Sequence, residues 1–309
     1  MIERLLILAA SYFVKLNRDR RLSDSILSSE RALAYSSAPF ARVKRLLGDR
    51  RIAYLDVGAR GGPLPFLERF EALLETTLCE PDPVERARLE DAGYQVIGAL
   101  LGDHPGETEL KLTRNPGNSS VLSPDGPMMG YYGGVTDRFD VVEEITLPIV
   151  PLDHVVRDRS GTPFDLVKLD TQGSEDSILA GGETARPLMW ITEASTAQLY
   201  RDQSTIFQVG QRLYENGYVL FDLSLRRIRP RPDNKFRPPA VRAALGLPLH
   251  GDAYFMADWT RPAGQDLIRE RPFVWAALMV LTGQEEILRA ILAEGWLIEA
   301  ADIAREIDR

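Results

Sequence analysis

From about residue 51 to residue 257 short apolar runs alternate with stretches of helical spacing, and glycine, proline and capping residues separate them. Ile52-Ala53-Tyr54-Leu55-Asp56-Val57 is a continuous apolar run stopped by glycines, which predicts a buried strand. Leu64, Leu67, Phe70, Leu73 and Leu74 have helical spacing. Thr76-Thr77-Leu78-Cys79 reads as a second strand, and Asp82-Pro83 is a favourable start for a helix to about Ala92. Tyr94 to Ile97 reads as a third strand, and the alternation of Glu107 to Thr113 as a half-exposed one. Between Arg114 and about Glu143 periodicity is lost, which predicts a long loop of the functional or disordered kind. Strands are then predicted at Phe164–Asp170, Leu188–Glu193, Tyr218–Phe221 and Asp252–Met256, and helices at Ser174–Leu179 and Ile206–Glu215, the latter stopped by Asn216-Gly217. Repeated strand–helix units predict an α/β fold with a mostly parallel sheet and helices on both faces.

The two ends differ from this centre. Residues 1–50 read as a helical extension, whose run Leu5 to Val14 is too short to span a bilayer. It lacks a clear cleavage site for a signal peptide, so it is expected to pack on the body or on a second subunit. Residues 51–260 form the expected α/β domain. Residues 261–309 form a helical tail, with Trp275–Leu281 and Glu285–Ile307 broken at Thr282-Gly283 and turned at Gly295. Both extensions are candidates for a homodimer contact.

A net charge of -8 on 309 residues argues against general nucleic-acid binding, so no nucleic-acid partner is expected. No segment reaches transmembrane length. The single cysteine, Cys79, has no internal disulfide partner, which suits a reducing, cytoplasmic location.

The chemistry begins at Asp56-Val57-Gly58-Ala59-Arg60-Gly61-Gly62. Glycines after a strand let the backbone turn sharply and approach a ligand, and a following helix aims free N–H groups at it. The spacing is neither Gly-x-Gly-x-x-Gly nor a P-loop, which disfavours a dinucleotide oxidoreductase. Glu80 ends the second strand about twenty residues later, where a carboxylate accepts hydrogen bonds from ribose hydroxyls. Asp82 is the better helix cap, which leaves Glu80 for the ligand. Two carboxylates at adjacent strand ends disfavour a phosphate-rich ligand and are compatible with a cationic sulfonium nucleoside.

Four segments in order resemble the FkbM-type S-adenosylmethionine-dependent O-methyltransferases. They are Leu55 to Ala59, Glu80-Pro81-Asp82-Pro83, Asn118-Ser119-Ser120, and Asp165-Leu166-Val167-Lys168-Leu169-Asp170-Thr171-Gln172-Gly173-Ser174-Glu175, preceded by the pair Leu152-Asp153. The resemblance covers about residues 50–222. It implies a Rossmann-like methyltransferase fold and S-adenosylmethionine as cofactor, with contacts near Asp56, Gly58, Glu80 and the Asp103 loop. Gly61, Asp82, Ser120 and Gln172 join the expected cofactor set. Arg60 stands where the family has asparagine, and is expected either to turn outward or to bind the cofactor carboxylate.

A hydroxyl acceptor must lose a proton, so a base near the transferred methyl is expected. Asp170, at a strand end on the ligand edge, is the first candidate. Strand alternation puts Lys168 on its face, and Glu193 ends the next strand. The alternative is that Lys168, Asp170 and Glu175 form a structural network. His154 is a second base candidate or a surface residue. No Cys or His cluster has metal-ligand spacing, so no metal site is expected, with a weak magnesium site at Asp170, Glu175 or Glu193 left open. Acceptor contacts are expected from Ser119 and Glu175, from Tyr131 and Tyr132 as an apolar lid with Met128 and Met129, and from Arg226 and Arg227. These two arginines start a basic patch running to Arg237 that either receives an anionic acceptor or is a solvated loop paired with the protein's own acids. The reading is an O-methyltransferase acting on a hydroxyl of a sugar, glycan or glycosylated natural product. The alternative is a non-catalytic protein that keeps the fold and binds the cofactor.

Overall fold

The computed structural model describes residues 40–131, 136–228 and 247–309. The helices expected within residues 1–39, Tyr132 and most of the basic patch lie outside them. The chain enters through helix α1 (Phe40–Leu47) and builds strands β1 (Ile52–Val57) and β2 (Leu74–Cys79), helix α2 (Pro83–Asp91) and strand β3 (Gln95–Ile97). Strands β4 (Leu100–Gly102), β5 (Gly106–Thr113) and β6 (Val141–Pro151) follow, then helix α3 (Leu152–Asp158), β7 (Leu166–Leu169) and α4 (Glu175–Ala180). Next come β8 (Met189–Ser195), α5 (Ile206–Glu215), β9 (Tyr218–Ile228) and β10 (Leu247–Ala257). Four helices complete the chain: α6 (Pro262–Glu270), α7 (Pro272–Leu281), α8 (Glu285–Ala293) and α9 (Ala300–Asp308).

The main sheet has seven strands in the order β3-β2-β1-β7-β8-β10-β9. Strands β1, β2, β3, β7 and β8 are mutually parallel, and β10 lies antiparallel between β8 and β9. The chain winds outward from β1 to β3, then returns to start β7 on the other side of β1. Right-handed crossovers in the two directions put helices on opposite faces, the Rossmann-like arrangement. The order reverses between β1 and β7, and a ligand crevice opens beyond the carboxyl ends of strands at such a point. Because β10 runs antiparallel, its first residues lie at that same edge.

Three elements depart from the sequence reading. The segment after the glycine turn is a 3-10 helix, Pro65–Leu73. Its buried residues Leu67, Phe70 and Leu73 recur every third position, so three residues per turn line them up on one face. A second sheet, β4-β6-β5, was not foreseen. The inward residues of β6, Ile145, Leu147 and Ile149, do alternate, but Pro148 interrupts the pattern. The proline is tolerated because β4 pairs only with Ile149–Pro151, so no partner strand needs a Pro148 N–H on that side. Helix α6 also went unread, since its buried face is only Gly264, Leu267 and Ile268.

The helical tail shares the core of the sheet. Val274 to Leu281 are all buried, and Leu288, Ile291, Ile303 and Ile307 join the same cluster as Leu55, Val167 and Met256. Helix α1 docks there through Val43, Leu46 and Leu47, with Arg42 paired to Glu285 at 2.7 Å and Arg45 Nε donating to the Glu306 carbonyl. The buried faces of these helices are therefore occupied within the chain. No helix among the described residues is long and apolar enough to cross a membrane.

Asp165, just before β7, is the main polar tie between sheet and tail. Its buried carboxylate accepts from the Ala53 N–H and, at 2.9 Å, from Arg271 Nη1, which also donates to the Phe164 carbonyl. Removing one partner of such a pair leaves an uncompensated buried charge. Arg271→Ala is expected to lower stability by about 3 kcal/mol, measured as a shift of the urea midpoint at unchanged m-value.

Candidate active site

The floor of the crevice is a buried ion pair. Asp56 on β1 stands opposite Lys168 on β7 in register, and Lys168 Nζ lies 2.8 Å from Asp56 Oδ1. The Tyr54 hydroxyl donates to the other carboxylate oxygen at 2.5 Å. Lys168 also donates to the Gly58 carbonyl at 3.4 Å and lies 3.6 Å from Asp170. Burial pushes the Asp56 carboxyl above its ordinary value, with Lys168 opposing. Burial acts to lower Lys168, but Asp56 and Asp170 outweigh it and hold the ammonium charged. Neither Asp56 nor Lys168, expected to touch cofactor and to take part directly, is among the residues lining the two cavities described below. Their role is to fix the turn above them.

That turn needs glycine at one position. Gly58 has φ +76°, and a Cβ there would lie 2.0 Å from the Asp170 carbonyl oxygen. The β1 and β7 ends thus meet backbone to backbone. The other expected cofactor residues of the turn are occupied elsewhere. The Gly61 N–H donates to Glu85 at 2.7 Å. Arg60 pairs with Asp82, and Asp82 also caps α2 by accepting from Val84 and Glu85. The guanidinium thus meets a carboxylate of its own chain, which accounts for the arginine at the departing position, and both side chains stay on the cavity rim.

Beyond the turn lies a cavity of about 220 Å³. Glu80 lines it with a buried carboxylate that accepts from the Asp82 N–H at 3.0 Å. Burial pushes its carboxyl up, and the Asp82 amide and Arg60 oppose that. The far wall is an apolar slot built by the small sheet, from Ala99, Leu100 and Leu101 on one side and Leu110, Leu112 and Val121 on the other. A buried carboxylate beside an apolar wall has the chemistry that the ribose and adenine of S-adenosylmethionine require. Asp103 is not in this wall. It is exposed and pairs with His104, one turn past the slot its loop shapes.

The loop after β5 closes the site. Ser120 is buried, and its hydroxyl donates to the Gln172 carbonyl at 2.8 Å, while Ser119 accepts from the Thr113 N–H. Both line the cavity, but their hydroxyls hold loop to strand end. Met128 and Met129 pack beside Phe139, Leu199, Tyr200 and Leu249, and Tyr131 ends a short 3-10 turn. Glu175 is no acceptor contact: its buried carboxylate receives the N–H groups of Thr171 and Gly173 and the Thr171 hydroxyl, so it staples the turn after β7. Burial nevertheless holds this carboxyl above its ordinary value.

A second cavity, of about 240 Å³, adjoins the first. The two share Gly117, Asp170 and Gln172. Gln172 has a left-handed backbone, φ +58°, unusual for a residue with a side chain. Its amide explains that conformation: Nε2 donates to Asp170 and to Glu193, each at 3.0 Å, and Oε1 accepts from Tyr200 at 3.1 Å. Glu193 and Asp252 face each other across β8 and β10, and His250 and Ser195 form the next such pair. Burial, then Asp170, Glu175 and Asp252, hold Glu193 well above the usual carboxylate range. Burial and then Asp170 raise Asp252. His250 Nδ1 lies 4.0 Å from Glu193 Oε1, and burial together with Arg226 lowers its imidazole. Arg226 lines this cavity, whereas Arg227 does not. His154 sits on α3 in a third cavity that does not reach Asp170.

His250, Asp252 and Tyr200 were missed in the sequence. The signal was His250-Gly251-Asp252 opening an apolar run: at the start of an antiparallel strand, polar residues reach the ligand edge.

A Rossmann-like sheet with a buried carboxylate and an apolar-walled cavity at its switch point is the arrangement expected of an S-adenosylmethionine-dependent methyltransferase. The chain belongs to the FkbM methyltransferase family: residues 56–220, just over half of it, match the Methyltransferase FkbM domain. No curated protein matches it. Solved structures similar to it include StiE O-MT, at 12% identity, covering 87% of this chain and 82% of that one with a TM-score of 0.38. Precorrin-6y C5,15-methyltransferase from Geobacter metallireducens has 11% identity, 70% and 85% coverage and a TM-score of 0.31. Human Methyltransferase-like protein 13, in complex with SAH, has 17% identity, 84% and 89% coverage and a TM-score of 0.32.

Two substitutions separate scaffold from contact. Gly58→Ala is expected to cost roughly 2–5 kcal/mol, from left-handed strain plus overpacking against Asp170. Asp56→Ala strands the Lys168 ammonium and is expected to cost about 3 kcal/mol. Denaturation midpoints check both, and Asp56→Ala unfolding like the wild type would remove the floor as described.

Proposed function

We propose that this methyltransferase transfers a methyl group to a hydroxyl of a sugar, glycan or glycosylated natural product. The observation that carries the reading is the wall shared by the two cavities at Asp170 and Gln172. On one side is the cofactor cavity with Glu80. On the other is a cavity whose lining includes Glu193, Ser195, Tyr200, Gln203, His250 and Asp252, a density of donors and acceptors suited to a polyhydroxylated acceptor. The bound cofactor supplies a methyl carbon already activated by its sulfonium, so the chain's work is to position the acceptor and exclude water. Asp170 stands at the junction, and its carboxylate orients the acceptor hydroxyl. Gln172 holds Asp170 and Glu193 in fixed relation. Lys168 acts through Asp56 and Asp170 as a positioning residue. Arg226 sits at the acceptor cavity and suits an anionic group on the acceptor. The lone, buried Cys79 fits a cytoplasmic location. Cofactor binding without turnover is the alternative, and Arg60, paired with Asp82, lends it no support.

Calorimetry is expected to show S-adenosylhomocysteine binding in the micromolar range, about -8 kcal/mol. Glu80→Ala should weaken it roughly tenfold or more, as loss of a charged hydrogen-bond acceptor does. Ionised Glu80 is the stronger acceptor and its carboxyl is raised. Affinity should therefore be constant near neutrality and fall as pH drops through a value above the ordinary glutamate range. Absence of binding to both cofactor forms would sink the reading. Transfer of a labelled methyl group to sugar hydroxyls tests the acceptor class.

A further inference from the structure

We infer, on the methyl-transfer reading of the site, that Gln172 is the positioning residue of the transfer step: it holds Asp170 and Glu193 as a clamp for two neighbouring hydroxyls of the acceptor. The backbone at Gln172 is left-handed, φ +58°, and Gly173 after it has φ +108°. Glycine would occupy both positions without strain, yet a long polar side chain stands at the first. Such strain persists where the surroundings over-determine it, and here four partners do so. Nε2 donates one N–H to Asp170 Oδ1 and the other to Glu193 Oε2, each at 3.0 Å, and Oε1 accepts from Tyr200 at 3.1 Å. The backbone carbonyl accepts from Ser120 at 2.8 Å. Two carboxyl groups before the NH2 and a hydroxyl before the oxygen fix which way the amide faces.

Both N–H groups are thus engaged within the chain, although Gln172 lines both cavities. It acts on ligands through the two carboxyl groups it joins. Asp170 lines both cavities, whereas Glu193 lines the acceptor cavity and not the cofactor cavity. The hydroxyl that meets Asp170 is therefore the one beside the methyl donor. The hydroxyl that meets Glu193 lies one amide further from the cofactor. Carboxyl groups bonded to a single nitrogen stand close enough for hydroxyls on adjacent ring carbons to reach one each. A carboxyl exchanges a hydrogen bond with a hydroxyl whether it is ionised or protonated, so the clamp does not depend on the charge of Glu193. The acceptor class is a vicinal diol, and Asp170 selects which of its two hydroxyls is methylated.

Two replacements fail in distinct ways. Gln172→Glu keeps the length and the bond from Tyr200 but loses both N–H donors. Protonation of the introduced carboxyl restores one donor, so the activity of this variant relative to wild type rises as pH falls. Gln172→Asn tolerates the left-handed backbone but lacks the reach. Ser120 bonds the backbone carbonyl and Glu80 is untouched in both variants, so cofactor affinity stays near that of wild type.

The full chain, with isotope-labelled glutamine and bound S-adenosylhomocysteine, gives an NMR readout that needs no acceptor. The side-chain signal that Gln172→Asn removes is expected to have both protons protected from exchange with water. With a panel of hexoses and their monodeoxy analogues as acceptors, both variants are expected to lower kcat about 100-fold at near wild-type affinity for S-adenosylhomocysteine. Gln172→Glu alone should recover part of that loss as pH falls. For a sugar that is methylated, an analogue lacking the hydroxyl next to the methylated one should lose about tenfold or more in kcat/KM. Free exchange of the amide protons, wild-type turnover in either variant, or full turnover of every analogue that keeps the methylated hydroxyl overturns the inference. If Gln172→Glu does not fold, Gln172→Asn and the amide signal decide it. The two readings fail separately: a chain that binds cofactor but methylates no member of the panel removes the sugar reading, and the amide signal still decides whether Gln172 joins the two carboxyl groups.

Discussion

The Asp56–Lys168 pair is the constraint on which the site depends. It joins β1 to β7 at the point where the strand order reverses, with both charges out of water. A buried pair of this kind adds little net stability compared with an apolar contact. Its value is geometric. Lys168 reaches the Gly58 carbonyl and approaches Asp170, so one ammonium sets the height of the glycine turn and of the carboxylate that faces both cavities. The turn beyond β7 is then closed by Glu175, which gathers the N–H groups of Thr171 and Gly173. Charged groups that look catalytic in the sequence thus hold backbone, and the groups left to meet ligands are their neighbours.

That division explains what was legible in the sequence. The centre of the main sheet was readable because β1 and β7 are short, mainly apolar runs buried on both faces, and α5 because its stripe and its Asn216-Gly217 stop agree. Glu80 was legible because strand end and helix cap are separate residues. Asp56 and Glu175 have the right residue types at the right spacing, yet burial turned both inward, and spacing carries no information on depth. The small sheet was hidden by Pro148 and by the acidic outer face of β6. His250 was hidden for a different reason: its position depends on the direction in which β10 is inserted, a property of pairing over long range and not of local pattern.

The two cavities are joined by a single amide. Gln172 spends both N–H groups on Asp170 and Glu193 and its oxygen on Tyr200, while its carbonyl receives Ser120 from the covering loop. A backbone in the left-handed region is the cost of placing that amide where four elements converge. Asparagine would tolerate the backbone better but is one methylene shorter, and glutamate would set a third carboxylate against two others.

The docking of α1 against α7, α8 and α9 has a consequence for how the chain comes into being. Val43 and Leu46 share their core with Trp275 and Ile307, more than two hundred positions later in the chain. During synthesis α1 therefore completes its docking only after α9 has left the ribosome. The parallel sheet is in the same position, since its floor is sealed by that late layer. Contacts of such sequence separation are slow to form, so the docking of α1 waits on α7, α8 and α9.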